Sequence, residues 1–150
     1  LVEFFKINHC YKQVCLDTHK NLGTITLIRT SPVNIITSNH LKMTEIEYYL
    51  VDVFTSIKYG GNQLAVFVDY ENKVSDDNML QIARELNFSE ITFIKKNLNN
   101  KNFEVRIFTP EYEVPFAGHP SLGTTFIITK YLLPEPQKKI TLNLILKINY

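Results

Sequence analysis

From Gly118 to Thr129 the chain reads Gly-His-Pro-Ser-Leu-Gly-Thr-Thr-Phe-Ile-Ile-Thr, with His119 as its only titratable side chain. Gly118-His119-Pro120 has the form of a helix entry, because proline suits the first helical position and glycine allows an unusual turn just before it. A helix this poor in charge on every side belongs inside a structure, enclosed by strands. Its amino end leaves backbone N–H groups without intrahelical partners and carries a partial positive charge, so it can hold a carboxylate, phosphate or enolate oxygen. Immediately upstream, residues 103–108 alternate Phe103, Val105 and Ile107 with Glu104 and Arg106, the period of a half-buried strand. Pro110 and Pro115 then break that pattern, giving strand, irregular connection, helix start.

Further strands are available to enclose such a helix. Tyr48, Leu50, Val51, Val53 and Phe54 mark a mostly buried strand over Glu45–Phe54, and Gln63–Val68 resumes one. The intervening Tyr59-Gly60-Gly61-Asn62 is either an ordinary hairpin connection or a loop whose Asn62 amide holds a ligand or fixes a neighbouring loop. Ser75 precedes Asp76 and Asp77, and Met79, Ile82, Ala83 and Leu86 recur at i, i+3, i+4 and i+7, which predicts a capped amphipathic helix ending at Asn87. Phe88–Ile94 predicts another strand, with Ile91 and Phe93 on one face and Glu90 and Thr92 on the other. Pro134 and Pro136 stop further helix, and Lys139–Tyr150 alternates as a last strand. The fold class is α+β.

With 150 residues and 45% hydrophobic side chains the chain can bury one real core. Its 16 basic and 15 acidic residues are mixed along the sequence and sum to +1, so there is no basic stripe for nucleic acid. No apolar run approaches the roughly 18 residues needed to span a bilayer. With no secretory pattern at the N-terminus and both cysteines confined to Cys10 and Cys15, the expectation is a cytoplasmic protein without a disulfide framework or membrane contact. Residues 1–42 follow neither period for long. Their His9, Cys10, Cys15 and His19 do not fit paired zinc-ligand spacings, so no metal is expected there. Met43 could be the natural start.

Two acid/base candidates emerge. Glu90 is either a solvent-facing strand carboxylate or, flanked by Phe88, Ile91 and Phe93, a carboxylate facing an enclosed cavity, where its pKa would rise toward neutrality and suit proton transfer. His119 is either a structural group at a helix start or a site residue whose neutral form the positive helix end favours. There is no Gly-x-Ser-x-Gly elbow, phosphate-binding loop, dinucleotide fingerprint or His-Glu-x-x-His motif.

Val51-Asp52-Val53-Phe54-Thr55, Gly61-Asn62-Gln63-Leu64-Ala65-Val66-Phe67, Leu86-Asn87-Phe88-Ser89-Glu90-Ile91-Thr92-Phe93, Arg106-Ile107-Phe108-Thr109-Pro110 and Phe116-Ala117-Gly118-His119-Pro120-Ser121-Leu122-Gly123-Thr124 follow one another in order. Together they closely resemble the N-terminal half of the PhzF-like phenazine-biosynthesis isomerase family, which shares its fold with diaminopimelate epimerase. The match runs from about Glu45 to Pro134. Residues 1–42 have no counterpart in it, and 43–150 correspond to one such domain.

The resemblance implies a diaminopimelate-epimerase-like domain, a curved, mostly antiparallel sheet wrapped around a central helix, with an active site in a cleft against a second domain. It places Glu90 on the family's catalytic acid/base, which moves a proton between carbons of a small unsaturated or cyclic carboxylic acid without metal or other cofactor. Ser89, Gly118 and His119 fall on substrate-lining positions, and the helix start through Pro120 and Ser121, with Asn62 nearby, completes the expected substrate-binding set. Ala117 stands where related epimerases carry a catalytic cysteine, which argues for one carboxylate doing both steps. With no second domain the expectation is a truncated member that needs a homodimer to rebuild a cleft. The alternative is a non-catalytic remnant that binds a small anion or only dimerises.

Overall fold

The computed structural model describes residues 3–4, 11–17, 26–36, 43–135 and 137–146. The chain order is β1 (Glu3–Phe4), β2 (Tyr11–Asp17), β3 (Thr26–Ile36), β4 (Met43–Val53), β5 (Asn62–Val68), α1 (Asp76–Leu86), β6 (Glu90–Asn97), β7 (Asn102–Phe108), β8 (Glu113–Val114), α2 (Gly118–Ile127), a π-helical turn (Ile128–Leu132) and β9 (Lys139–Ile145). The predicted α+β class holds. Strands β2 and β3 lie where the sequence has no clear period; their backbones pair antiparallel with β9 and β4, and it is this pairing, absent from any local pattern, that defines them. The side chains of His9, Cys10, Cys15 and His19 and the last residues of the predicted final strand, 147–150, lie outside the described residues.

All strands join one open sheet in the order β1-β2-β9-β7-β6-β5-β4-β3, with β8 on the edge of β7. Most pairs are antiparallel, but β5–β6 and β7–β9 are parallel. Each parallel pair follows from the helix that separates its strands, because a parallel neighbour can be reached only by a crossover. The two crossovers place one helix on each face. Ala65, Phe67, Ile91, Phe93 and Phe108 pack under Met79 and Ala83 of α1, whereas Val51, Val53, Leu64, Val66, Ile94, Val105 and Ile107 pack with Ile127 and Ile128 of the α2 segment. Helix α2 touches β4, β5 and β6 as well as β2 and β9. A sheet whose two halves both reach one helix must curve around it, so α2 is central and α1 lies outside.

Helix α1 forms as its sequence dictates. The Ser75 hydroxyl accepts the Asn78 N–H at 3.3 Å, Asp76 and Asp77 sit in the positive first turn, and Asn87 closes the helix at φ 53°. Helix α2 has no side-chain cap at Ala117, and hydroxyls take over part of its bonding: Ser121, Thr125 and Thr129 each donate to the carbonyl four residues back at 2.8 Å. It lies close against the sheet at Gly123, where a Cβ would stand 2.5 Å from Leu64 Cδ2 and 3.0 Å from Val53 Cγ2. Gly123→Val is therefore expected to destabilise the domain by about 1–3 kcal/mol through overpacking, despite valine's better helix propensity. Urea denaturation checks this; a midpoint equal to wild type would mean the helix can lift from β4 and β5 at no cost.

Candidate active site

Glu90 opens β6 directly beside Leu64 of the parallel strand β5. The alternation of β6 turns Glu90, Thr92 and Ile94 toward α2 and leaves Ile91 and Phe93 for α1. The polar pair is therefore not a solvent face: Thr92 is fully buried and its hydroxyl meets that of Thr124 on α2 at 2.8 Å. This contact ties the second half of α2 to the first half of β6. Five residues toward the helix start, His119 Nδ1 comes within 3.5 Å of Glu90 Oε2.

The two partners differ in environment. The Glu90 side chain keeps 21% of its surface exposed, whereas His119 keeps 7%. Burial pushes the His119 pKa below its ordinary value of 6.5, against the opposing pull of the Glu90 carboxylate and the Gln63 backbone. Its Nε2 is buried and has no hydrogen-bond partner among the described residues. Unpartnered buried nitrogens are uncommon and mark a place where a further polar group would fit.

Around this pair, Ser89, Asn62 and Gly118 form an exposed rim. The Ser89 hydroxyl donates to Asn62 Oδ1 at 3.2 Å, joining the β4–β5 loop to the residue just before Glu90. A Cβ on Gly118 would meet nothing within 4 Å, so the backbone at the helix start faces open space. Pro120 and Ser121 are buried. Pro120 has no N–H, and the Ser121 hydroxyl and N–H both turn back to the Ala117 carbonyl at 2.8 and 3.3 Å. Of the residues singled out from the sequence, Glu90, His119, Gly118, Ser89 and Asn62 thus come together, while Pro120 and Ser121 build the helix behind them. A carboxylate beside a neutral imidazole and the first-turn amides of Gly118 and His119, which have no intrahelical partners, can accept a proton from carbon while the helix end holds a developing oxyanion.

A depressed His119 pKa has a consequence for stability. The folded protein binds fewer protons than the unfolded chain between the depressed value and about 6.5, so stability is complete above that range and falls as pH drops through it. Comparing urea midpoints at pH 7.5 and pH 5.5 should show a smaller loss in His119→Asn than in wild type. Equal losses would assign the acid sensitivity to other groups.

Sequence reasoning misses two contributors. Asp52, an acid inside the apolar run Leu50–Phe54, is fully buried and accepts the Tyr59 N–H at 2.6 Å; its presence in such a run is the signal that was available. Arg106, on an alternating strand, reads as surface but is 3% exposed, with Nε and Nη2 donating to the two Glu113 oxygens at 2.6 and 2.8 Å and Nη1 to Asp76. A hollow of about 470 Å³ lined by Lys95, Lys96, Glu104 and Arg106 lies at the other end of β6. Lys95 is bonded to Asp69 and Lys96 to Glu104. Among the described residues no helix is long and apolar enough to cross a membrane.

Comparison with known proteins converges on one group. The phenazine biosynthesis-like protein family (PhzC-PhzF) matches residues 51–145. An uncharacterized isomerase of Pasteurella multocida is 43% identical over 95 residues, 62% of this chain and 32% of that protein. The trans-2,3-dihydro-3-hydroxyanthranilate isomerase of Pseudomonas fluorescens is 46% identical over 81 residues, 54% of this chain and 29% of that protein. Among solved structures, a PhzF-family protein of Enterococcus faecalis aligns at TM-score 0.54 and 36% identity over 59% of this chain and 33% of its own. A predicted epimerase of Pseudomonas aeruginosa aligns at TM-score 0.51 and 41% identity over 54% and 28%. The chain spans about a third of the length of the curated relatives it matches.

Proposed function

Since this chain belongs to the phenazine biosynthesis-like PhzC-PhzF family, we propose that it carries the proton-transfer half of an isomerase site, in which Glu90 moves a proton between carbons of a small unsaturated or cyclic carboxylic acid. The observation that carries this reading is the placement of Glu90 Oε2 3.5 Å from His119 Nδ1, at the open amino end of α2. In the proposed step the Glu90 carboxylate takes a proton from a carbon next to the unsaturated system. The electron pair spreads toward the substrate's oxygen, and the same carboxyl returns the proton to a second carbon, so no net redox change occurs. The N–H groups of Gly118 and His119 and the partial charge of the helix end stabilise the intermediate oxyanion. Neutral His119 orients Glu90 and shields it from water, and Ser89 and Asn62 border the substrate. No cofactor enters this scheme.

On this reading residues 43–150 form the half of the cleft that bears the glutamate, and a second copy in a homodimer supplies the opposing wall. The family relatives named as isomerases of trans-2,3-dihydro-3-hydroxyanthranilate suggest the substrate class. Incubating the full chain with a dihydro-hydroxyanthranilate-type acid in deuterated water tests it by mass spectrometry. Protein-dependent deuterium uptake into carbon is the expected result. Its absence at protein concentrations where sedimentation shows a dimer would leave anion binding or dimerisation as the role of the chain.

A further inference from the structure

The loop between β4 and β5 is costly to hold. Phe54 and Tyr59 adopt φ of 65° and 67°, in the left-handed region that favours glycine. Their side chains and that of Ile57 are 60–72% exposed, so packing of the tip does not hold the loop in this shape. Such a backbone persists only where its surroundings over-determine it. Within the loop, Gly60 N–H donates to the Ile57 carbonyl at 3.0 Å and Ile57 N–H to Thr55 Oγ1 at 3.0 Å. These bonds are local. The bond that ties the tip to the sheet runs from Tyr59 N–H to Asp52 Oδ2, at 2.6 Å, and Asp52 is fully buried. Next in the chain, Gly61 is pressed so closely on the strand that a Cβ would stand 2.5 Å from the Val53 carbonyl and 3.1 Å from Asp52 Cβ. Asn62 follows and receives the Ser89 hydroxyl beside Glu90.

We propose that Asp52 is a positioning residue for the candidate site: from inside the sheet it tethers the Phe54–Gly61 loop, and through that loop it sets Asn62 against Ser89 at the edge of Glu90. The carboxylate suits the task because a charge-assisted hydrogen bond to a backbone N–H is stronger than a neutral one and can hold a loop whose own dihedrals oppose it. Asp52 touches neither Glu90 nor substrate; it acts through the loop. The functional part of this inference rests on Glu90 being the acid/base, but the mechanical part does not.

NMR on the full chain tests it with two readouts, the hydrogen-exchange rate of the Tyr59 amide and the titration midpoint of the His119 imidazole. His119 is a suitable reporter because the groups acting on it are Glu90 from β6 and the Gln63 backbone from β5, immediately after Asn62. In Asp52→Ala, Tyr59 exchange should accelerate by at least about tenfold, the size expected for losing a charge-assisted bond. The His119 midpoint should move up toward 6.5 as water enters. Deleting a carboxylate would by itself lower a histidine pKa, so a rise reports opening of the loop and not loss of charge. Asp52→Asn keeps an acceptor in place but loses the charge assistance, so both readouts should fall between wild type and Asp52→Ala. Met79→Ala, on the α1 face, serves as a destabilised control and should move neither. Asn62→Ala should raise the His119 midpoint without changing Tyr59 exchange, and it carries the test if Asp52→Ala does not fold. Unchanged Tyr59 exchange in Asp52→Ala, or an equal shift in Met79→Ala, would overturn the tether, and an unchanged His119 midpoint in Asn62→Ala would overturn its relay to the site. Neither readout needs turnover, so a chain that shows the tether but no deuterium uptake overturns the isomerase reading alone.

Discussion

Glu90→Gln is expected to reduce deuterium uptake from solvent by about two to four orders of magnitude, the range that a single positioned acid/base supplies. Glutamine matches glutamate in shape and can still face His119 Nδ1, so the substitution removes the proton acceptor while leaving the geometry in place. Because 21% of the side chain remains exposed, the change should cost little stability, and the melting temperature serves as the control. His119→Asn should give a smaller loss, since the imidazole orients and shields the carboxylate and is not itself the base. A Glu90→Gln protein that folds and exchanges at the wild-type rate would transfer the chemistry to another group and end the single-carboxylate scheme.

The largest stability effect is expected at Arg106. Its guanidinium, 3% exposed, binds both oxygens of Glu113 and one of Asp76, lies 5.0 Å above the Phe108 ring and contacts Met79 Sδ at 3.5 Å. Burial would lower its pKa, but the Glu113 and Asp76 carboxylates outweigh that penalty and leave it raised, so the charge is retained at any pH the fold survives. This clasp joins the start of α1 to β7 and β8. Arg106→Ala removes the cation from a buried pair and should destabilise the domain by about 3–5 kcal/mol, read from urea denaturation. Lysine should restore little of this, because a single ammonium cannot bridge both oxygens of Glu113. A loss below about 1 kcal/mol in Arg106→Ala would show that water replaces the guanidinium freely.

Several features of this protein are legible locally. The cap at Ser75, the apolar stripe of α1, the left-handed stop at Asn87 and the uncharged character of α2 are each written in a few adjacent residues. So is the strand period around Ile107, and with it the expectation of a helix enclosed by strands; the mostly antiparallel sheet is implied only by the family resemblance. Other features are not. Residues 11–17 and 26–36 become strands through pairing with partners far along the chain, which no window on the sequence contains. The polar alternation of β6 is ambiguous in the same way, since Glu90 and Thr92 on one face fit either water or a helix.

The chain's local chemistry thus determined its two helices, the cap of α1, the strands with a clear period and the residue types available for proton transfer, because those depend on dihedral preference and on side chains a few positions apart. Packing between distant segments decided which polar residues are dry. Thr92 meets Thr124, 32 residues on, and His119 reaches Glu90 only once α2 has seated against β4 and β5 at Gly123. It also decided that Asp52 and Arg106 are internal, since a charge enters a core only where folded partners compensate its lost hydration.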